Sequence, residues 1–452
     1  MGGAFQIDRQ RRLILFRIAK LPSAAALLAA LLLSAPAPAQ EPEPAAKVIA
    51  IPPLATEKIT DTDAGTTWGL ANQIANLITA DLKLSNKFIF ADTQKVRIPS
   101  YPEVTAPAYP QWRSVSAKLL LTGFVNARSD GRLTIGCYLY DVQSGRELAR
   151  QGFAVSTSEW RRAAHKCADM AYVKATGNAP MFDSRIAYVA ESGNPDTLVK
   201  RLAVMDFDGA NHTWLTSGDA IVLTPKWSPD GNSIAYTSFS EGIPQVRVAE
   251  VGSNADRPLL PGNSESFAPA FSPDGNTIAL SMSNGGNVDI FAVGSSGGFP
   301  RRLTTSPAID TGPSYSPDGK SIAFISDRSG TPQVYVMDSD GSNQRRVSFG
   351  PGDYGSPAWS PAGDRIAFMR TQGTVSRIGV MAVNGADERI ITTGPNDSEP
   401  AWSPDGSQVL FQRIDPGSRR TMLATVPAAG GDVKPVPTPQ SGSDPSWAER
   451  QE

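Results

Sequence analysis

Five times in its C-terminal two-thirds the chain repeats an aromatic residue followed by Ser-Pro, then Asp or Ala, then Gly. The copies are WSPDG at 227–231, FSPDG at 271–275, YSPDG at 315–319, WSPAG at 359–363 and WSPDG at 402–406, and a truncated DPSW ends at Trp447. Successive aromatics are 44, 44, 44, 43 and 45 residues apart. A period in the forties made of short strands and Gly/Pro turns predicts a β-propeller.

The motif has a physical grammar. Pro229, Asp230 and Gly231 suit positions i+1 to i+3 of a type I turn, because proline presets φ and glycine tolerates the exit. Before the turn the aromatic ends an inner strand. After it comes an apolar second strand, with cores at Ile234, Ile278, Ile322, Ile366 and Val409. A third strand (334–337 in the clearest unit), an Asp340-Gly341 turn and a fourth strand through Arg345, Arg346 and Val347 complete a blade. The core at Ile186 has no SPDG before it, and Trp447 has no strands after it. Each end supplies what the other lacks, so residues 444–447 are expected to pair with 186–189 and close a six-bladed ring without an unpaired edge.

Ahead of the repeats, Arg9, Arg11, Arg12, Arg17 and Lys20 precede an apolar run over 24–33, and Ala37 and Ala39 fit a cut before Gln40. This reads as a secretory signal over 1–39, too short in its apolar part to span a bilayer. Of 42 Lys and Arg and 44 Asp and Glu, five basic residues and one acidic residue precede position 40, leaving 37 against 43 and a net charge of −6. That balance speaks against nonspecific binding to nucleic acid or anionic membrane.

Residues 48–176 read as a separate α/β domain, helices on a small mixed sheet, after a short mature segment 40–47. Strands are expected over 48–54, 88–90, 119–125, 133–142 and 152–155. Helices are expected to carry Leu70, Ile74, Leu77, Ile78 and Leu82, and to cover 160–174, with a proline-marked loop through Pro99, Pro102, Pro107 and Pro110. Residues 177–184 form the linker and 185–452 the propeller. Cys137 and Cys167 face the same expected core; in an oxidising compartment such a pair forms either a disulfide or two separately buried thiols.

Chemistry is sparse. A formal G-x-S-x-G at 294–298 centres on Ser296, but it falls in a hairpin, whereas a nucleophile elbow needs a strand before it and a helix after. Only His165 and His212 exist, both before Ser296, so the hydrolase order Ser, Asp, His cannot be built. His212 reads as a solvated turn residue, and His165 and Cys167 lie on different helix faces, so they do not share a metal. No cofactor fingerprint or metal motif appears. What remains is acids in the loops that lead into the aromatic strands: Asp219, Glu265, Asp310, Asp353, Asp397 with Glu399, and Asp444. In a propeller these loops ring one mouth of the channel, where carboxylates attract cations or a basic partner. The alternative is that short polar loops use Asp to make turns.

The order of a leader, a small α/β domain, R-I-A-Y-V at 185–189 and six WSPDG-type blades, with Trp160-Arg161-Arg162 on a helix and Asp206-Phe-Asp-Gly, resembles the TolB family, the periplasmic propellers of the Tol-Pal system of Gram-negative bacteria. The resemblance implies a binding protein, not an enzyme. It would join the outer-membrane lipoprotein Pal to an inner-membrane complex containing TolA, supporting outer-membrane integrity and its invagination at division. It also implies that Pal docks on the loops preceding the aromatic strands, with contact residues at Glu265, where some relatives carry histidine, Ala268 and Thr311. Family members have an N-terminal strand-forming segment that binds TolA. Here Pro42 and Pro44 and the lack of apolar alternation argue against a strand in 40–47. The reading from a different class is a metal-dependent hydrolase working in the channel through Asp310 or Asp353.

Overall fold

The structure, a computed structural model, describes residues 46–193, 197–253 and 255–449. The leader expected over 1–39 and the first six residues of the segment expected over 40–47 lie outside the described residues.

A five-stranded sheet opens the described chain. Its strands are β1 (Lys47–Ala50), β2 (Phe88–Phe90), β3 (Leu119–Ala127), β4 (Leu133–Asp141) and β5 (Glu147–Val155), in the spatial order β2-β1-β3-β4-β5. The β1 pairings are parallel, and the two hairpins joining β3, β4 and β5 are antiparallel. Helix α1 (Thr67–Leu84) begins where the Thr66 hydroxyl accepts the Gly69 N–H, and it buries Leu70, Ile74, Ile78 and Leu82 at helical spacing. The proline-marked stretch is not wholly loop. It contains α2 (Tyr109–Ser114), in which Pro110 occupies the first turn, where a missing N–H costs nothing, and Trp112 is fully buried. Helix α3 (Trp160–Thr176) stops at Gly177, whose φ of 79° gives a left-handed cap.

Cys137 on β4 and Cys167 on α3 are joined in a disulfide, tying helix to sheet. The core beneath them does not end with this layer. Ile49 on β1, Ile74 and Ile78 on α1, and Ala164 and Tyr172 on α3 belong to one buried cluster with Phe182, Ile186, Tyr188, Leu410 and Leu423 of the propeller side.

The propeller has six four-stranded sheets. Five are consecutive in the chain. The remaining one, the first blade in chain order, combines Thr213–Trp214, Val199–Asp206 and Ser184–Ser192 with the final strand Ser441–Glu449, so the ring closes as the offset in the repeats predicts. Trp447 pairs with Ile186 and Ser443 with Val189. Each SPDG turn closes through a Gly N–H to Ser carbonyl bond of 2.9 Å, at Gly231, Gly275, Gly319, Gly363 and Gly406. The serine hydroxyl donates to the turn aspartate, as Ser228 does to Asp230 at 2.5 Å, and accepts the N–H five residues on. In WSPAG the aspartate is missing, and Ser360 donates to Asp364 instead at 3.0 Å.

Candidate functional site

Every inner strand breaks its ladder at the same place. Thr224, Ala268, Gly312, Ser356, Glu399 and Asp444 each stand three residues before the blade's aromatic and each has φ between 49° and 64°. Each is followed by proline, and each pairing shifts register there. The result is a ring of β-bulges around the channel, five of its six members non-glycine residues held in left-handed backbone. Hydrogen bonds between blades hold it. Ala268 N–H donates to Thr237 at 3.1 Å, Gly312 N–H to Ser281 at 3.0 Å, and Asp444 N–H to Gln412 at 2.8 Å.

The two ends of the inner strands lead to opposite faces. The SPDG end meets the α/β layer: Tyr172 on α3 donates to Asp405 of the last SPDG turn at 2.8 Å, and Gln408 donates to the Leu84 carbonyl at 3.3 Å. At this end of the channel, Trp227, Phe271, Tyr315 and Trp447, with Lys226, Ser314 and Ser446, line a cavity of about 250 Å³. The opposite mouth, formed by the loops that precede the inner strands, faces away from that layer.

The sequence-singled acids do not behave alike. Asp219 and Glu265 are exposed on the mouth, and Asp353 is half-buried at the start of its strand. Asp310 and Asp397 are fully buried. Arg328 donates to Asp310 at 2.8 Å, and Arg413 grips Asp397 through Nε at 2.7 Å and Nη2 at 2.9 Å. Their charge is engaged inside the blade, Asp397 by the second strand and Asp310 by the turn that follows it. Glu399 is a bulge residue inside the channel. Burial pushes its carboxyl above the usual range, Asp444 adds to that, and Lys226 opposes it. Burial also pushes the Lys226 ammonium down, against the pull of Glu399 and Asp444. Thr311 bonds Ser281 at 3.0 Å beside Gly312, and Ala268 is half-buried on the preceding blade.

Two mouth residues escaped the sequence reading. Ile309 is 44% exposed and Phe349 is 69% exposed, both in loops leading to inner strands, with Arg346 over the Phe349 ring at 5.3 Å. An apolar residue in an irregular loop has no periodicity to betray which way it faces. His212 corrects another expectation. It is a half-buried ring packed edge-on against Tyr188 and Trp214, at centroid distances of 5.9 and 4.5 Å, and its pKa is lowered by burial. Ser296 lies in the hairpin between Asn287–Gly294 and Arg301–Arg302, without a helix after it. Asp310, one of the two carboxylates the channel-hydrolase reading named, is thus already engaged by Arg328.

Residues 172–451 match the family model for the TolB beta propeller domain, and residues 41–148 match that for the TolB amino-terminal domain. The Tol-Pal system protein TolB of Zymomonas mobilis is 49% identical over 212 residues, covering 47% of this chain and 46% of the relative. That of Rhizorhabdus wittichii is 49% identical over 227 residues, covering 48% and 51%. The chain thus spans about half the length of the curated relatives it matches. The crystal structure of TolB from Acinetobacter baumannii is similar with a TM-score of 0.75 at 27% identity, covering 91% of this chain and 98% of that one. No helix among the described residues is long and apolar enough to cross a membrane.

Proposed function

Because the chain belongs to the TolB family of the Tol-Pal system, we propose that it is a non-catalytic binding protein of the periplasm whose open propeller mouth takes the lipoprotein Pal. The observation that carries this reading is the composition of the mouth. Exposed Ile309 and Phe349 stand among exposed acids, Asp219 and Glu265, on a rigid ring of bulges, on the face that the α/β layer leaves uncovered. Apolar anchors within a charged surround are what a specific protein interface needs. The export leader read over 1–39 supports the compartment. In this role the protein joins outer-membrane Pal to the inner-membrane Tol complex and so supports envelope integrity and invagination at division. Contact with TolA through 40–47 is not part of this proposal, because Pro42 and Pro44 disfavour a strand there.

The test is a calorimetric titration of residues 40–452 with Pal lacking its lipid. Saturable one-to-one binding, weakened by Thr311→Arg, Ala268→Asp and Phe349→Ser in folded protein, is the expected result. No binding by folded wild-type chain overturns the assignment.

A further inference from the structure

Away from the mouth, the α/β layer meets the first blade at a buried histidine. His165 on α3 is 2% exposed, and its Nδ1 lies 2.8 Å from Asp81 Oδ2 on α1. A carboxylate only accepts, so this contact keeps the proton of a neutral imidazole on Nδ1 and leaves the Nε2 lone pair bare. Nε2 is buried and makes no hydrogen bond. It points at the turn after the third strand of the first blade, where Asp208 Oδ2 is 3.8 Å away. That distance is too long for a hydrogen bond. The ligand atoms of His165, Asp206 and Asp208 all lie within 4.8 Å of one another, the one such trio found among the described residues.

A lone pair turned toward two carboxylates favours a cation among them, and at Asp208 that place is taken by Arg161. Ligand atoms this close need only small shifts to share one ion at about 2.0–2.2 Å. The carboxylate behind the ring completes the pattern, since a metal-bound histidine commonly donates its other N–H to a carboxylate that fixes its tautomer. Phe207, edge-on to the imidazole at 5.3 Å, walls one side. We propose that His165, Asp206 and Asp208 bind a divalent transition-metal ion of the zinc class, and that the ion staples α3 to the first blade.

An entering ion must compete with contacts that these groups already make. Asp206 Oδ2 accepts from Asn211 at 2.6 Å, and Asp208 Oδ1 accepts the Ala210 N–H at 3.1 Å. Asp208 Oδ2 pairs with Arg161, which must release it when the metal enters. Arg161 is therefore a rival cation. A proton on Nε2 would answer the same charges, and the experiment separates the two.

Untagged chain 40–452, stripped with chelator and dialysed, is titrated with zinc chloride by calorimetry and with cobalt(II) by visible absorption. The expected result is one equivalent of each metal, cobalt bands of low-symmetry nitrogen and oxygen ligation, and tighter zinc binding in Arg161→Gln. His165→Gln and Asp206→Asn abolish uptake, and Asp81→Asn weakens it about 10–100-fold. Asp208→Asn, on a half-buried turn, keeps the test valid should the more buried variants fail to fold. The proposal is overturned if folded wild type takes up no metal, if its His165 ring carries protons on both nitrogens and keeps them in excess zinc, or if uptake is unchanged in Asp208→Asn.

Discussion

Ser356 donates a hydrogen bond to Glu399 at 2.8 Å, and the two residues occupy the same bulge position in adjacent blades. Both are held with φ near 50°, where an L-residue costs roughly 1–2 kcal/mol relative to right-handed backbone. Such strain persists only where the surrounding contacts over-determine it. Here proline on one side, the ladder on both and a bond to the neighbouring blade do so.

Relief of that strain is measurable. At Ala268, where the side chain makes no hydrogen bond, Ala268→Gly is expected to raise unfolding free energy by roughly 0.5–1 kcal/mol, the strain removed less the entropy glycine adds to the unfolded chain. Ser356→Gly gains the same relief but loses its bond to Glu399, so it should be near neutral or destabilising. Urea unfolding of both variants checks this. A destabilised Ala268→Gly counts against strain at the ring.

Glu399 also sets a pH dependence. Its folded carboxyl titrates above the ordinary glutamate range because of burial and Asp444, so between the unfolded and folded values the native state binds the extra proton. Stability from this group is therefore present below the unfolded value and declines as pH rises through the folded one. Glu399→Gln should flatten that decline, gaining on wild type at pH 8 but not at pH 4. Urea midpoints across that range measure it, and parallel profiles would refute it.

How much of this was legible follows from where the information sits. The blades and their closure could be read because the SPDG turn is local and repeats, so position 447 could be matched to 186 by counting alone. The acids were visible as residues but not as environments. What distinguishes Asp310 and Asp397 from Asp219 is an arginine arriving from the next strand or the turn that follows it, Arg413 or Arg328, and nothing local to the acid records it. The bulge ring was present as the proline two residues before each aromatic, a signal overshadowed by the turn beside it. The trio of His165, Asp206 and Asp208 spans two elements 41 residues apart, beyond any motif spacing.

The disulfide is expected to contribute strongly. Cys137 and Cys167 are both buried and close a loop with a sequence separation of 30. Chain-entropy reasoning gives a loss of about 3–4 kcal/mol for Cys137→Ala with Cys167→Ala. Both cysteines lie in the core that continues into the first and last blades, so unfolding should remain a single transition at a lower midpoint. Calorimetry would show two separated transitions if the α/β layer instead unfolds independently of the propeller.

The closing strand makes the sharpest case. Ser441–Glu449 pairs with Ser184–Ser192 at seven positions, and Trp447 adds an Nε1–H bond to Ser184 at 2.8 Å and a near-parallel stack on Phe207 at 6.4 Å. Trp447→Ala should cost about 3 kcal/mol through lost packing. Deleting 441–452 does something different in kind, because it uncovers the backbone of Ser184–Ser192 as an open edge able to pair with another chain. The truncated protein is therefore expected to oligomerise, read by light scattering. A peptide spanning 438–452 added in trans should suppress this by restoring the strand, whereas the same peptide with Trp447→Ala should do so poorly. A truncated chain that stays monomeric with an unchanged unfolding midpoint would mean that the ring does not depend on its last strand.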